Sequence, residues 1–439
     1  MTRFSPFADS LWSASAAPAP DLPTLANEIA AEVCVVGGGY SGLTTALSLA
    51  KSGIDVVLLE AQEVGFGGSG RNAGHCTPTF HHHSIPAIRT LLGPERGERF
   101  IQLQTNAADR VAGLVQDYQI DCEWRQRGYV MAAHTPKALK GLEEKVRSYN
   151  AVGQETRLLS QREVAEITGS ERQYGGWYHP RGGHVNPLGL SRGLARAAVN
   201  AGARIFVQAK VEGATPEGGA WRVKTDEGSV LAQKVIYATG AYTVAGWPGL
   251  ERTFRILKVF VAASEPLPEL RDAILPQDTT LHDGRSDIFV YKRDARDRIV
   301  VSMFPRGRRG RDLDYTRRLL TERLRWHHPA VPENLRWDYL WGGELDMQRH
   351  TIPRLYQLAP GVVAVTGLSG RGVPTGCILG DILSDWARGV AERDLALPIE
   401  PLRPAPGYMG FAPGLALKYY ALRSRLSELR AGVPSPPHP

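Results

Sequence analysis

An apolar run, a glycine-rich turn and an amphipathic stretch open the regular part of the chain. The run Glu32-Val-Cys-Val-Val predicts a buried strand that enters the turn Gly37-Gly-Gly-Tyr-Ser-Gly42. An apolar helix follows the turn, and a second apolar run from Ile54 to Glu60 predicts another strand. Strand, turn, helix and strand in this order predict a βαβ unit at the start of the fold.

Beyond residue 90 the pattern changes to a mixture of helices and strands. Two helical patterns, over 98–118 and 136–149, flank a short predicted strand over 128–131. Asn186 and Pro187 are typical of an N-cap and a first helical residue, and they predict a helix that reaches Asn200. Further strands are expected at 203–209, 220–225 and 229–238.

The second half of the chain first favours strands and then a long apolar helix. Alternating patterns from about 246 to 337, such as those at 287–291 and 298–304, predict an antiparallel sheet. The apolar run from Val362 enters the turn Gly367-Leu-Ser-Gly-Arg-Gly372, after which apolar residues recur at helical spacing from Ile378 to Trp386. The tail begins with prolines and ends in a basic amphipathic stretch around 415–429.

These patterns predict a discontinuous nucleotide-binding domain into which a second domain is inserted. We assign residues 26–90, 158–245 and 338–392 to the nucleotide-binding domain, and residues 91–157 and 246–337 to a substrate domain. Residues 393–439 form a C-terminal extension. This extension is expected to pack on the body, to form a dimer contact or to touch a membrane surface, in that order of preference.

The turn after the first strand has the chemistry of a dinucleotide cradle. Gly37 permits the tight turn, Gly39 lets a phosphate approach the chain without meeting a Cβ, and Gly42 lets the helix pack closely on the strand. Backbone N–H groups and the positive end of the helix converge where a pyrophosphate can sit. Glu60 ends the second strand, where a carboxylate can accept hydrogen bonds from both hydroxyls of an adenosine ribose, so a free 2′-hydroxyl is expected.

The residues after Glu60 favour FAD over NAD. The loop Gly65-Phe-Gly-Gly-Ser-Gly-Arg-Asn-Ala-Gly74 is so rich in glycine that it suits a backbone wrapped closely around an extended ligand, and a flavin ring is the natural candidate. Two later strands support this interpretation, because each runs into a turn of small residues. They are Val235-Ile-Tyr-Ala-Thr-Gly240 and the strand that enters the Gly-Leu-Ser-Gly-Arg-Gly turn.

With these motifs the chain resembles the D-amino-acid-oxidase-like (DAO) family of FAD-dependent amine and amino-acid oxidoreductases. In that family a GRN-type loop lies against the isoalloxazine ring, and a GxSGHG loop precedes a helix. The resemblance implies an α/β fold, in which a Rossmann-type, glutathione-reductase-like FAD-binding domain carries an α+β substrate domain with an antiparallel sheet. It also implies that FAD is the cofactor and is contacted by Gly37, Gly39, Tyr40, Ser41, Gly42, Glu60, Ser69, Arg71, Asn72, Ala73, Gly74, Val211, Thr239, Gly240, Gly370, Arg371, Gly372, Val373, Pro374 and Thr375.

Within that family the chain resembles the gamma-glutamylputrescine oxidase group along nearly its whole length. Besides the flavin loops, the matching segments are 34–40, 182–188 and 418–426. Three features depart from the group's pattern. Arg371 stands where the family usually has His, His75 stands where Gln is expected, and the arginine cluster at 306–311 is foreign to the group.

A flavin bound in this way accepts a hydride at N5 from a carbon that bears nitrogen, and water hydrolyses the imine product. Negative charge then gathers near N1 and O2 of the ring. The resemblance implies that the helix opening at Gly372 points its positive end there, with the Arg371 cation beside it. Arg371 is therefore a candidate catalytic residue, although it could instead grip a substrate carboxylate or lie on a surface loop.

The substrate amine must lose its proton before it can give up a hydride, so the pocket must lower the pKa of the amine or accept that proton. His75 and His350 are the candidate catalytic groups, and His350 is also a candidate substrate contact. Either could equally be a hydrogen-bonded core histidine. Tyr291 and Trp341 are candidate substrate-binding residues in the pocket wall, and their alternative is plain core packing.

Composition narrows the classes of protein. The chain has 439 residues, enough for two core-forming domains, and no apolar run that would predict an integral membrane segment. Its formal charge of +7 raises the question of a nucleic-acid partner, but no nucleic-acid motif accompanies the basic residues, so none is expected. Four scattered cysteines and the absence of a signal-like N-terminus favour a cytoplasmic protein. The histidine triplet at 81–83 is not expected to bind a metal.

The predicted function is the FAD-dependent oxidation of a C–N bond in an amine or amino acid, of the gamma-glutamylputrescine type or another secondary or N-substituted amine. The alternatives are a cyclic imino-acid (L-pipecolate-like) oxidase, a flavoprotein that modifies a macromolecule such as RNA, and a non-catalytic FAD-binding scaffold. Oxygen or a quinone is expected as the electron acceptor, and a homodimer is one expected assembly. No lysine is evident at the place where some relatives hold one for the reaction with oxygen.

Overall fold

The computed structural model describes residues 9–80, 83–243, 246–285, 287–304, 312–410 and 412–437. His81, His82 and the arginine cluster at 306–311 lie outside the described residues. The β-strands are β1 Glu28–Val36, β2 Val56–Leu59, β3 His75–Cys76, β4 Tyr129–Ala132, β5 Arg157–Leu159, β6 Gly176–His179, β7 Gly183–His184, β8 Arg204–Phe206, β9 Val211–Glu217, β10 Ala220–Thr225, β11 Ser229–Tyr237, β12 Arg255–Pro266, β13 Thr280–His282, β14 Phe289–Arg293, β15 Arg298–Met303, β16 Trp337–Met347, β17 Arg354–Ala359, β18 Val362–Thr366 and β19 Ile399–Pro401.

The α-helices lie between and around two large sheets. They are α1 Leu11–Ser15, α2 Tyr40–Lys51, α3 Gly68–Arg71, α4 Ile85–Leu92, α5 Pro94–Thr105, α6 Ala107–Asp117, α7 Pro136–Asn150, α8 Gln161–Thr168, α9 Pro187–Asn200, α10 Leu313–His327, α11 Gly372–Ala387 and α12 Ala412–Ala431. The start of α9 is as predicted, because the Asn186 side chain accepts a hydrogen bond of 3.0 Å from the backbone N–H of Gly189. The single helix predicted over 98–118 is wrong, since Asn106 separates α5 from α6.

The first sheet brings three glycine turns to one edge. Its strand order is β19-β17-β18-β11-β1-β2-β8, and β18, β11, β1, β2 and β8 run parallel. Val36 at the end of β1 is in register with Tyr237 at the end of β11. Glycines with positive φ follow β1, β11 and β18, namely Gly37, Gly240 and Gly367. The predicted Rossmann-type α/β architecture is therefore confirmed, and its ligand edge lies at the carboxyl ends of these strands.

The second sheet has the order β16-β12-β15-β14-β13-β4-β6-β5 and is antiparallel except between β13 and β4. The sequence predicted only strands over 246–337, and α10 corrects that prediction. Asp312 caps this helix, because its Oδ1 accepts hydrogen bonds from the backbone N–H groups of Asp314 and Tyr315. The apolar periodicity of α10 is weak because Arg323 occupies one of its fully buried positions.

Sheet membership moves two of the predicted domain limits. Residues from 338 onward were assigned to the nucleotide-binding domain, but β16 pairs along its length with β12 of the second sheet. Residues from 158 onward were assigned in the same way, yet β5 and β6 lie in the second sheet beside β4. Strand patterns do not reveal which sheet a strand joins, because the pairing is between residues far apart in the chain. The rest of the division stays a prediction.

Helices α2 and α11 lie side by side and point the same way. A Cβ on Gly376 would lie 3.0 Å from the Cβ of Tyr40, and a Cβ on Gly380 would lie 2.5 Å from the Cβ of Thr44. Since the residue numbers rise together along both helices, their N-termini meet at the same edge of the molecule. Glycine at these two positions is what allows the close approach.

The C-terminal helix α12 is anchored on the body by a buried ion pair. The Nε of Arg285 lies 2.6 Å from a carboxylate oxygen of Glu428, and both side chains are buried. Glu428 is therefore held inside the protein, as expected if the C-terminal extension packs on the body. Its charge is matched by a partner from the second domain, about 140 residues earlier in the chain.

Candidate active site

The turn between β1 and α2 accepts only glycine at its key positions. Gly37 has a φ of 111°, which side-chain-bearing residues rarely adopt, and a Cβ there would lie 2.8 Å from the carbonyl oxygen of Ala238. A Cβ on Gly42 would overlap the carbonyl oxygen of Gly37. A Cβ on Gly39 would lie 2.8 Å from the hydroxyl of Ser69. The geometry is that of a cradle in which backbone approaches a ligand closely.

The loop over 65–74 is tied directly to this cradle. The backbone N–H of Tyr40 donates a 3.0 Å hydrogen bond to the Ser69 hydroxyl, and the N–H of Gly65 donates to the carbonyl of Gly38. Within the loop, the Arg71 Nε donates to the carbonyl of Phe66 at 2.8 Å. The two motifs that the sequence assigned to one cofactor are therefore neighbours in space.

The end of the loop is held rigidly by Asn72. Its amide nitrogen donates to the carbonyl of Ser69 at 2.8 Å, and its amide oxygen accepts from the N–H of Gly74 at 2.7 Å. Ala73 is buried in a small apolar cluster with Trp12 and Trp341. These contacts fix the backbone of the loop before any ligand is present.

Trp341 packs against this loop, and its role in the pocket wall stays a prediction. Its indole N–H donates a 2.8 Å hydrogen bond to the carbonyl of Arg71, and its ring packs edge-on against Trp12, with centroids 5.9 Å apart. Trp12 donates in turn to the carbonyl of Asn72. No sequence pattern pointed to Trp12, because a single tryptophan in a proline-rich and alanine-rich N-terminus has no periodic signal.

Glu60, the second predicted cofactor contact, is tied to the turn between β1 and α2. One carboxylate oxygen accepts a 2.6 Å hydrogen bond from the N–H of Gly38, and the other accepts a 2.9 Å bond from the N–H of Gln62. Burial raises the pKa of this carboxyl group, and the bond from Gly38 opposes the rise. The N–H of Ala209 donates to the Glu60 carbonyl, which places the segment leading to the buried Val211 beside the cradle.

The N-terminus of α11 forms the opposite wall. Asp346 fastens the loop before it, because a carboxylate oxygen accepts a 2.6 Å hydrogen bond from the N–H of Gly367. Burial raises the pKa of Asp346 to about 6. The same oxygen lies 3.7 Å from the position of a Cβ on Gly240, so the turn at Thr239 and Gly240 adjoins this loop. Thr375 in the first helical turn donates to the side chain of Gln104 on α5.

The residues present fit an FAD. Two helix N-termini, those of α2 and α11, meet at one edge, and each has a positive end suited to a negatively charged group. The carboxylate of Glu60 lies at the end of β2, 2.6 Å from the N–H of Gly38 in the turn, which is the place in the fold where an acid binds an adenosine ribose. Gly37, Gly39 and Gly42 let the turn fold tightly against Ala238, Ser69 and itself, which gives it the sharp bend that a pyrophosphate-binding turn requires. Contact between each of these residues and the cofactor stays a prediction.

His75 lies directly after the loop and carries no charge at neutral pH. Its two ring nitrogens are buried, and within the described residues neither makes a hydrogen bond of ordinary geometry, although the backbone of Val290 is close enough to raise the pKa slightly. Burial holds its pKa well below the usual value, and the charge of Lys292 adds to the effect. A neutral imidazole of this kind can accept a hydrogen bond from a substrate N–H group.

Lys292 is a buried lysine beside the loop that the sequence reasoning missed. Its Nζ donates a 2.8 Å hydrogen bond to the carbonyl of Val185 and lies 4.9 Å from the centroid of the Trp12 ring. A Cβ on Gly74 would lie 3.0 Å from this nitrogen. Burial lowers the pKa of Lys292 to about 8. The position of Lys292 could have been inferred from the sequence, because neighbouring side chains alternate along a strand. Tyr291 and Lys292 must therefore face opposite sides of the sheet.

Tyr291 faces the other side of that strand, and its predicted role in substrate binding is wrong. Its side chain is fully buried in the core beneath α10, and its hydroxyl is 2.8 Å from Nε2 of His328. The aromatic residue therefore fills the second domain. Lys292, one residue later, points toward the loop that ends at Gly74.

His350 has different surroundings from His75. Its ring is half-buried, and burial lowers its pKa together with the charges of Arg354, Arg349 and His83. Those charges differ from the set that acts on His75. Gln348 lies two residues before His350. Its backbone N–H donates a 3.2 Å hydrogen bond to the hydroxyl of Ser369, in the turn that leads into α11. A catalytic role for His350 stays a prediction and gains no support from its surroundings.

Arg371 is the N-cap of α11, but its side chain turns toward the second domain. Its guanidinium donates hydrogen bonds to the hydroxyls of Thr77 and Thr79. Burial lowers its pKa, while Tyr129 and Tyr149 raise it. These tyrosines belong to the second domain, so Arg371 lies where the two domains meet.

Other groups add little to the site. The four cysteines of the chain are buried and free of disulfides. Within the described ranges, no group of three or more His, Cys, Asp and Glu side chains is arranged to hold a metal ion. None of the described helices is both long and apolar enough to cross a membrane.

Residues 32–386 match the family described as DAO, FAD dependent oxidoreductase, and the chain belongs to this family. It is an FAD-dependent oxidoreductase of C–N bonds in amines or amino acids. Among curated proteins, it is 30% identical over 427 residues to gamma-glutamylputrescine oxidoreductase of Escherichia coli (strain K12), a match that covers 95% of this chain and 98% of that protein.

Solved structures agree with the fold. L-amino acid deaminase from Proteus myxofaciens, in complex with anthranilate, superposes with a TM-score of 0.72 at 18% identity, over 86% of this chain and 94% of that chain. Glycine oxidase from Geobacillus kaustophilus superposes with a TM-score of 0.68 at 20% identity, over 82% of this chain and 95% of that chain. At these identities the likeness concerns the fold alone.

Proposed function

We propose that the protein oxidises a C–N bond of a gamma-glutamylputrescine-like amine, or of another secondary or N-substituted amine. The observation that carries this proposal is the match to gamma-glutamylputrescine oxidoreductase over 98% of that protein's length. The match includes the second domain, which supplies the residues that face the cradle. FAD, when bound, supplies the hydride acceptor, and water hydrolyses the imine product.

The chain's own residues supply binding, orientation and exclusion of water. Gly37, Gly39 and Glu60 would hold the dinucleotide half of the cofactor, and the rigid loop ending at Gly74 would hold the ring. Because His75 is neutral, its ring nitrogen is available to accept a hydrogen bond from the substrate nitrogen. This bond would orient the amine with its lone pair free, which hydride loss requires.

The test is anaerobic mixing of the FAD-loaded protein with a panel of amines. The panel contains gamma-glutamylputrescine, putrescine, an N-methyl amino acid, L-proline and L-pipecolate. We expect gamma-glutamylputrescine to reduce the flavin fastest, seen as loss of its visible absorbance, with an aldehyde as product. Reduction only by cyclic imino acids would replace this proposal with that alternative.

A flavin that no member of the panel reduces would refute the proposal. The control is dithionite, which should reduce the bound flavin in every preparation. Oxygen and a soluble quinone, added separately after reduction, identify the electron acceptor. A homodimer and a cytoplasmic location stay predictions that this experiment does not address.

A further inference from the structure

Two cations approach each other where the second domain faces α11. Arg371 comes from the start of α11, and Lys145 comes from the middle of α7. Arg371 donates to the hydroxyl of Thr79, and the next residue, Phe80, donates its N–H to the Tyr149 hydroxyl at 2.8 Å. The Nζ of Lys145 lies 5.6 Å from the centroid of the same tyrosine ring, and burial and the charge of Arg371 lower the pKa of Lys145. In the described part of the chain, neither cation forms an ion pair with a carboxylate. Two neighbouring cations without an acid are costly unless a ligand supplies the negative charge.

Aromatic side chains surround these cations. We call Tyr129, Tyr149, Trp177, His179 and His282 the aromatic cluster. The Nζ of Lys145 lies 4.8 Å from the centroid of the Trp177 ring and 5.6 Å from that of Tyr149. Tyr129 contacts Trp177 edge-on, and its hydroxyl is 3.2 Å from Nδ1 of His282. The cluster therefore offers apolar faces next to two positive charges.

Several polar atoms of the aromatic cluster and of Arg371 are buried without a partner among the described residues. They are the indole nitrogen of Trp177, both ring nitrogens of His179, Nε2 of His282 and Nε of Arg371. Buried polar atoms in folded proteins are nearly always hydrogen-bonded, so a concentration of exceptions marks a place where a ligand or water belongs. Lys145, His282 and Arg371 also keep part of their surface accessible.

Electrostatics connects this place to the loop that ends at Gly74. Arg371 donates a 3.2 Å hydrogen bond to the hydroxyl of Thr77, two residues after His75. The pKa of His282 is raised by the charge of Asp283 and lowered by the charges of Arg371 and Lys145. Burial lowers the pKa of His282 to about 4 and that of His179 to about 3, so both rings are neutral at pH 7. Asp283, the nearest carboxylate to His282, is already paired with Arg323 at 2.8 Å, so within the described residues Arg371 and Lys145 keep positive charges without an acid partner.

We propose that Lys145 and Arg371 bind a carboxylate group of the substrate, while the aromatic cluster packs against its carbon chain. The substrates of the enzyme are then amines that carry an acid group, and the same amine without that group is a poor substrate. This inference rests on the proposed function. A planar guanidinium and an ammonium are the donors that a carboxylate accepts most strongly.

Binding of the carboxylate is coupled to a proton on Lys145. In the ligand-free protein, burial and the charge of Arg371 lower its pKa to about 7. The groups that face Lys145 are Tyr149 on its own helix, Trp177 and His179 on β6, His282 on β13 and Arg371 on α11. A bound carboxylate raises the pKa again, so affinity is full below pH 7 and falls as the pH rises above it.

The experiment compares two substrates that differ by one group. These are gamma-glutamylputrescine and 4-aminobutanoyl-putrescine, which lacks only the carboxylate. We expect Lys145→Met to raise KM for the first at least tenfold, a loss of about 1.4 kcal/mol, and to leave KM for the second within about twofold. Lys140→Met on the exposed face of α7 is the matched control and should change neither value.

A binding measurement tests the site without turnover. Glutarate should bind the FAD-loaded protein, compete with gamma-glutamylputrescine and take up a proton above pH 7, measured by calorimetry in buffers of different ionisation enthalpy. Lys145→Met should abolish the proton uptake, and Lys145→Arg should restore glutarate binding without it. Arg371→Met should weaken glutarate binding as well.

The outcomes separate this inference from the proposed function. If both substrates reduce the flavin with equal KM values in the parent protein, the carboxylate site is refuted while amine oxidation stands. Loss of binding of both substrates in Lys145→Met would indicate that Lys145 is structural, and would also overturn the inference. Inorganic phosphate that competes as well as glutarate would overturn the assignment to a carboxylate.

Discussion

The approach of α2 to α11 offers a stringent test of the fold around the cofactor site. Gly380→Ala places a methyl group at the narrowest point between these helices. The new Cβ would lie 2.5 Å from the Cβ of Thr44 and 2.8 Å from its carbonyl carbon. Carbon atoms pack at about 3.5–4.0 Å, so the helices must separate by roughly 1 Å, because the Thr44 backbone cannot rotate away.

The cost has two opposing parts. Overpacking of a well-packed core costs about 1–3 kcal/mol, and replacing a helical glycine by alanine returns up to about 1 kcal/mol. We therefore expect Gly380→Ala to lower the free energy of unfolding by about 1–2 kcal/mol and to lower Tm. The N-termini of α2 and α11 should move apart at the same time, so the affinity for FAD should also fall.

The assay is thermal unfolding of the FAD-free protein, followed by fluorescence titration with FAD. Gly113→Ala is the matched control, since Gly113 lies in α6 and a Cβ there meets nothing within 4 Å. That variant should be stabilised by about 0.5–1 kcal/mol. Gly380→Ala with an unchanged or raised Tm, beside a control that behaves as expected, would refute the close packing of the two helices.

Three further changes test single groups. Glu60→Gln should weaken FAD binding by about 1.5–3 kcal/mol, the worth of a hydrogen bond to a charged group, and FAD affinity equal to that of Glu63→Gln would contradict this. Burial raises the pKa of Asp346 from 3.8 to about 6. Because the folded protein keeps this proton longer than the unfolded chain does, stability falls as the pH rises between these values. Asp346→Asn should therefore flatten the dependence of Tm on pH. Glu428→Ala removes the 2.6 Å partner of the buried Arg285 and should cost about 3 kcal/mol in urea unfolding; an unchanged midpoint would show that the pair is not stabilising.

The cradle was readable from the sequence because its chemistry is local. The turn from Gly37 to Gly42 needs glycine for reasons of backbone angle and close approach within a few residues. Glu60 follows at the end of the next strand, so its position relative to the turn is fixed by the βαβ unit itself. The N-cap at Asn186 was readable for the same reason, since its hydrogen bond spans three residues.

The side chains that face the candidate site could not be predicted from local sequence motifs. Tyr291 and Trp341 were chosen as aromatic residues on predicted strands, but the face that a strand presents depends on its partners in the sheet. Tyr291 faces the core under α10, and Lys292, its neighbour, faces the loop that ends at Gly74. Lys145 gave no signal, because a lysine in an amphipathic helix is ordinarily solvated.

The sequence by itself thus determined the cofactor, the family and the parallel sheet, because each depends on short motifs and on the periodicity of single elements. Only the tertiary structure decided which strands form the second sheet, and which side chains face α11 across the domain boundary. Arg371 and Lys145 are 226 positions apart in the printed sequence. The proximity of these two residues depends on the pairing of β4 with β6 and on the packing of α7 against β6. Pairings between segments far apart in the chain cannot be predicted from the periodicity of either segment alone.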